Sequence, residues 1–245
     1  MPVMTVGTGR ALIPTGINYN DLVMGTQPIA YWPQSESSGL VALCLTNPAM
    51  NGTYTGVTLA NDNTGPFGTP APFYDGANDY CSLLTAALQA AWNAGGAEWS
   101  IMAWWKVFNV GVWTDTLDRK LFNFSGDVNH NASSTKAGAA NTWIDLLTAG
   151  GVAHLDIRGG QTSIDWNNLV ITRSEIANEI RYYVNGVWVA TDAAIGVWAM
   201  AGAWGAMLIG ALSVVPQQVW HGWIGPVGHW PRALPQATIT TLANP

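Results

Sequence analysis

Residues 179–190, Glu179-Ile180-Arg181-Tyr182-Tyr183-Val184-Asn185-Gly186-Val187-Trp188-Val189-Ala190, read as two short β-strands closed by Asn185-Gly186. A two-residue type I′ turn needs positive φ at both central positions, and Asn-Gly supplies it at the lowest steric cost. The turn sets the register: Val184 faces Val187, Tyr182 faces Val189 on the same side, and Tyr183 faces Trp188 on the other. One face of the hairpin is then aliphatic core and the other aromatic, so both are expected to touch something.

Working outward, short strand patterns recur at 29–32, 52–57, 73–74, 80–83, 99–108, 120–124, 143–148, 152–158, 168–172, 207–210 and 219–230, separated by Gly, Pro and Asn signals. Many short strands at this spacing imply an all-β sandwich or jelly roll. The stretch 99–108 is apolar on both faces: Trp99, Ile101, Ala103, Trp105 and Val107 on one, Met102, Trp104 and Phe108 on the other. It is therefore expected to be a central strand covered twice. The second cover is either loops folded across the sheet or a ligand resting on Trp104, Tyr183 and Trp188. Leu84, Leu88 and Trp92 predict a short helix after a Ser82 cap and before Gly95-Gly96, and residues 235–242 predict a final helical turn. Residues 1–27 read as an extended Gly/Pro/Thr arm with a helical turn near Tyr19–Val23, leaving 28–245 as the folded domain.

Composition narrows the function. Charged residues are 10% of the chain, against roughly a quarter in ordinary soluble domains. With nine Lys and Arg and a net charge of -6, a nucleic-acid partner is excluded, since phosphate binding needs clustered cations. No run reaches the ~18 apolar residues of a membrane span. The first 25 residues lack a basic stretch followed by an apolar one, so production in a cytoplasm without secretion is expected. Cys44 and Cys81 form no CxxC and read as two small buried hydrophobes, with a single bridge as the alternative.

Several stretches, in order, resemble the laminin-G-like, concanavalin A-like jelly-roll domains of lectins, extracellular proteins and phage structural proteins. They are PIAYWPQSESSG (28–39), NGTYTGV (51–57), FYDGANDYC (73–81), EWSIMAWWK (98–106), the Asn-Gly hairpin, LIGAL (208–212) and HGWIGPVGHWPRALPQATITTL (221–242). The resemblance implies a concanavalin A-like sandwich of two antiparallel sheets with one or two short helices and an extended N-terminal arm. The Asp- and Gly-rich turn that usually precedes the NGTY strand is here Leu45 to Met50, which removes calcium ligands, and the closing strand carries Gly225-Pro226 in place of an acidic residue. No cofactor or metal site is expected; calcium stays open only at Asp75, Asn78 and Asp79, which more simply tie their own turn.

Laminarinase-like glycosidases share this fold, and their retaining mechanism needs two carboxylates roughly 5 Å apart. A strand provides that with acids at i and i+2, and no such acidic pair occurs in the sequence. No Gly-x-Ser-x-Gly elbow is present either, so no catalytic residue is assigned. The leading expectation is a non-enzymatic bacteriophage virion protein, a decoration, head-fibre or tail-associated jelly roll at the virion surface. It would attach through its arm to virion proteins and to copies of itself, as a homo-oligomer for which a trimer is a guess, and would bind host-surface polysaccharide. The alternative is an extracellular, secreted or cell-surface carbohydrate-binding module; a glycoside hydrolase of the same fold is the third reading. Stacking platforms for sugars are expected at Trp113, Trp198 and Trp204 in loops and at Trp104, Tyr183 and Trp188 on the sheet.

Overall fold

A computed structural model describes residues 18–60, 65–127, 130–138, 141–149, 152–198 and 204–245. Residues 1–17, most of the expected arm, lie outside the described residues. In chain order the strands are β1 (Ala30–Trp32), β2 (Val41–Ala42), β3 (Gly52–Thr55), β4 (Phe73–Asp75), β5 (Tyr80–Ser82), β6 (Trp99–Val107), β7 (Arg119–Asp127) and β8 (His130–Ala137). They continue with β9 (Thr142–Ala149), β10 (Val152–Arg158), β11 (Asn167–Ser174), β12 (Glu179–Val184), β13 (Val187–Ala193), β14 (Ala206–Ile209) and β15 (His221–Trp230). The helices are α1 (Tyr19–Gly25), α2 (Ala86–Gly95), α3 (Gly111–Thr114) and α4 (Gln236–Ala243).

The front sheet runs β1-β15-β6-β11-β12-β13, with β4 also paired to β15, and the back sheet runs β10-β9-β8-β7-β14-β5-β3-β2. Every pairing is antiparallel, which makes the architecture the expected jelly-roll sandwich. Between the sheets lies one core, to which β6 contributes Trp99, Ile101, Ala103, Trp105 and Val107. Its far side, Met102 and Trp104, joins a second cluster with Val23 of α1, Tyr183, Trp230, and Ile239 and Leu242 of α4. The second cover of β6 is therefore built by two helices. Tyr19 pins it: its hydroxyl accepts from Trp104 Nε1 at 2.8 Å and donates to the Leu242 carbonyl at 3.0 Å, joining α1, β6 and α4.

The Asn-Gly turn forms as read, with φ of 50° at Asn185 and 77° at Gly186. Val184 pairs Val187 and Tyr183 pairs Trp188, but Tyr182 faces Ala190, because a bulge between Tyr182 and Tyr183 leaves Val189 out of register. The bulge changes the partner of Tyr182 but not its side: it stays on the core face, where it is fully buried, so that face is not purely aliphatic. The α2 cap is Thr85, not Ser82: its Oγ1 accepts from Leu88 N at 3.1 Å. Strands β2 and β8 are absent from the sequence reading. In β8 the core-facing positions are His130, Ala132, Ser134 and Lys136, paired in register with Ala149, Leu147, Asp145 and Trp143. Lys136 is buried because its Nζ donates to Asp115 Oδ1 at 2.6 Å and to the Asp115 and Leu117 carbonyls. A strand whose inward residues are polar but satisfied carries no hydrophobic alternation to detect.

Candidate functional site

Helices α1 and α4 cover only part of the front sheet. At the end they leave open, β4, β15 and β6 lie side by side with Trp223 opposite both Phe73 and Lys106, and His221 opposite Asp75. Phe108 follows β6 and donates its backbone N–H to the His221 carbonyl. The outward side chains thus form a grid of two rows, Lys106-Trp223-Phe73 and Phe108-His221-Asp75. The four rings touch: Phe73 to Trp223 is 5.1 Å, Phe73 to Phe108 5.6 Å, and Phe108 stacks on His221 at 4.8 Å with an interplanar angle of 12°. Phe108 is 46% exposed, while Trp223 forms the nearly buried floor.

Two charged groups stand at opposite corners. Lys106 Nζ sits 5.2 Å from the centre of the Trp223 ring and has no ion-pair partner among the described residues. At the other corner Asp75 Oδ1 accepts from Ala77 N, and the neighbouring Asp79 is buried and accepts the Asp75 N–H at 2.8 Å. Gly76 lets that turn close, with φ of +83° and no room for a Cβ beside His221 and Arg119. Asp75 and Asp79 therefore tie their own turn. Burial, and then the nearby Arg119 guanidinium, hold His221 below the usual imidazole range, so it is neutral at pH 7. The grid offers apolar ring faces, a cationic donor and an anionic acceptor, without a facing pair of free carboxylates.

The six platforms expected from sequence fare unequally. Trp188 is 58% exposed, and its Nε1 donates to the Ala190 carbonyl and Thr191 Oγ1, both at 2.9 Å, with the Arg181 guanidinium 5.9 Å over the ring. It is a fixed, open aromatic face at the sheet edge. The other five are corrected to core residues. Trp104 and Tyr183 lie under the helices. Trp113 packs against Trp105 and Trp143 while donating to the Ser163 carbonyl, and Trp198 and Trp204 plug the opposite end of the core beside Trp99 and Trp92. Loop position suggested exposure for Trp113, Trp198 and Trp204, but a large ring at the open end of a sandwich gains more by closing it. The grid was missed although its signal was present: Lys106 and Phe108, and His221 and Trp223, are i, i+2 pairs on one face of each strand.

On the back sheet, Lys120 and Asn123 face outward but are covered, Asn123 donating to the Leu212 carbonyl and Lys120 Nζ to Ser133 Oγ. Cys44 and Cys81 are separate buried thiols. Among the described residues no group of three or more His, Cys, Asp or Glu side chains is set to hold a metal ion, and no helix is long and apolar enough to cross a membrane.

A family model described as the concanavalin A-like lectin/glucanases superfamily matches residues 75–240, more than half of the chain. No curated protein matches the sequence. Among solved structures, the binding domain of botulinum neurotoxin DC in complex with SialylT superposes with a TM-score of 0.63 at 14% identity, covering 89% of this chain and 51% of that one. Domain 4 of an extracellular GH43 arabinanase from Geobacillus stearothermophilus, in complex with arabinotriose, gives 0.61 at 17% identity, covering 88% and 98%. A Trypanosoma rangeli sialidase in complex with sialic acid gives 0.66 at 13%, covering 88% and 32%. The chain thus spans about half the length of the toxin binding domain. At these identities the likeness is one of fold.

Proposed function

The chain belongs to the concanavalin A-like lectin/glucanase superfamily, and from that premise we propose that it is a non-enzymatic, lectin-like module that binds carbohydrate on the Phe73-Phe108-Trp223-His221 grid. The observation that carries this reading is the grid itself. A sugar ring has an apolar C–H face and a rim of hydroxyls. Phe108 and Phe73 present surface for the first, and Lys106 as donor and Asp75 as acceptor suit the second. Trp188 is a second stacking face of the same kind. A non-enzymatic role is supported by the grid's single available carboxylate, Asp75, where glycoside hydrolysis requires two. Binding to a broad set of immobilised glycans is the test: wild type should retain at least one ligand that Phe108→Ala loses, and no retained glycan at all would remove the reading.

A second reading sets the module on a bacteriophage particle, as a decoration, head-fibre or tail-associated protein that meets virion partners through its N-terminal arm and host-surface polysaccharide through the grid. Its support is compositional: a chain only 10% charged with 14 Trp is suited to being covered by neighbours. Because Tyr19 is built into the cover of the front sheet, the arm should be removed at residue 17. Particles that incorporate the truncated and full-length proteins equally well would exclude this reading.

A further inference from the structure

Along one flank of the sandwich the two sheets end side by side, with β10, the last strand of the back sheet, lying against β13, the last strand of the front sheet. Beyond β9 and β12 respectively, neither has a strand partner among the described residues, so side chains alone hold this seam. Three carboxylates turn into it. Asp145 of β9 is fully buried, Asp156 of β10 stands opposite it in register, and Asp192 of β13 stands opposite Ile180 of β12; the last two aspartates are half-buried. One guanidinium answers them: Arg158 binds Asp145 and sits 2.8 Å from Asp156, while Ser134 Oγ and Trp143 Nε1 donate to Asp145 as well. Asp192 has no ion-pair partner among the described residues, and its Oδ2 is enclosed without a hydrogen bond. The fully buried Tyr182 hydroxyl is likewise unpartnered, as is His154 Nε2, and the charges of all three carboxylates reach Tyr182.

We infer that Asp156 and Asp192 form an acid-closed clasp: they repel across the seam at neutral pH, and one proton taken up by the pair draws β10 onto β13. Three carboxylates against one guanidinium leave an excess of negative charge among enclosed atoms, which is costly unless a charge is removed. The seam is also short of donors. Arg158 is committed to Asp145 and Asp156, and Tyr182 brings a single O–H, whereas a protonated carboxyl supplies the donor that a carboxylate lacks. Burial first, then the charges of Asp145 and Asp192, outweigh Arg158 and hold Asp156 above the usual carboxylate range. A raised carboxyl pKa means that the closed seam takes up its proton at a higher pH than the open one. The clasp therefore tightens as pH falls toward the ordinary aspartate value near 4 and loosens as pH rises through the pKa of Asp156. The other groups facing the pair are Asp145 on β9, His154 and Arg158 on β10 and Tyr182 on β12. Lys120 acts on Asp145 from the back sheet, and Glu179 and Arg181 pair with each other on the outward face of β12. The clasp is independent of what the grid binds.

Hydrogen exchange of the full chain, read by mass spectrometry over β10 and expressed as protection relative to the intrinsic rate at each pH, tests the clasp. Protection of residues 152–158 in the wild type should rise between pH 7 and pH 5, by at most about tenfold for each pH unit when one proton is taken up. Asp192→Asn removes the carboxylate that no cation balances. It should show at pH 7 the protection that the wild type reaches only in acid, with a flat pH profile and an unchanged circular dichroism spectrum. His154→Gln should keep the wild-type rise, which separates the carboxylates from the imidazole beside them. A wild-type profile that is flat or falls in acid needs no variant and would overturn the inference. So would an Asp192→Asn profile that still rises like the wild type's, or a rise that His154→Gln abolishes.

Discussion

Replacing His229 with phenylalanine is expected to flatten the acid side of the stability curve. The imidazole is 2% exposed, lies flat on Trp92 with ring centres 3.6 Å apart, and neither nitrogen has a hydrogen-bond partner. Burial alone lowers its pKa from 6.5 to about 3. As pH falls through 6.5 the unfolded chain takes up a proton that the native state refuses until about 3, so stability is lost across that window and fully present above it. Between pH 7 and pH 4 the loss attributable to this one group is about 3 kcal/mol, from roughly 1.4 kcal/mol for each pH unit. Phenylalanine keeps the stack and removes the titration, and at pH 7 it should change stability by no more than about 1.5 kcal/mol. Urea denaturation of both proteins at pH 7, 5.5 and 4 is the assay. The difference between them should swing in favour of His229→Phe by about 3 kcal/mol as pH falls. Because the buried carboxylates are common to both, their own titrations cancel. A difference that stays constant with pH would refute the reasoning, since it would mean that the imidazole is protonated or hydrated in the native state.

Three further outcomes follow from individual contacts. Gly186→Ala should cost about 1–3 kcal/mol in urea denaturation, because φ is +77° and a Cβ there would lie 3.1 Å from both Ala243 Cβ and Thr240 Cα of α4. Tyr19→Phe removes the hydroxyl that accepts from Trp104 and donates to Leu242, leaving a buried indole N–H unpaired; a loss of about 1–3 kcal/mol is expected, visible as faster amide exchange in α1 and α4. Thr85→Ala, which deletes the α2 cap, should cost about 1 kcal/mol in the same denaturation assay.

The fold was legible wherever side chains alternate and turns are chemically marked. The Asn185-Gly186 hairpin, the two-faced β6 and β10 were all readable, since each depends on local pattern. What escaped depends on long-range satisfaction of polar groups. Lys136 and Ser134 point inward on β8 because Asp115 and Asp145 receive them, and those partners lie 21 and 11 residues away in sequence. The bulge that turns Tyr182 toward Ala190 has no sequence mark either. For the site, exposure was the quantity that could not be read. Trp104 looked available on an outer face, but Tyr19, far upstream, closes over it. Phe108 and Trp223, whose strands were identified, gained meaning only once β15 was seen to lie between β4 and the end of β6.

The central claim, carbohydrate on the aromatic grid, is tested most directly by isothermal titration of one glycan ligand against the wild type, Phe108→Ala and Asp75→Asn. Loss of an exposed stacking ring should weaken binding by about 1 kcal/mol or more, roughly fivefold in Kd, with Asp75→Asn also weakened and the fold unchanged by circular dichroism. Wild-type affinity in both variants would contradict the account and move the site elsewhere on the protein.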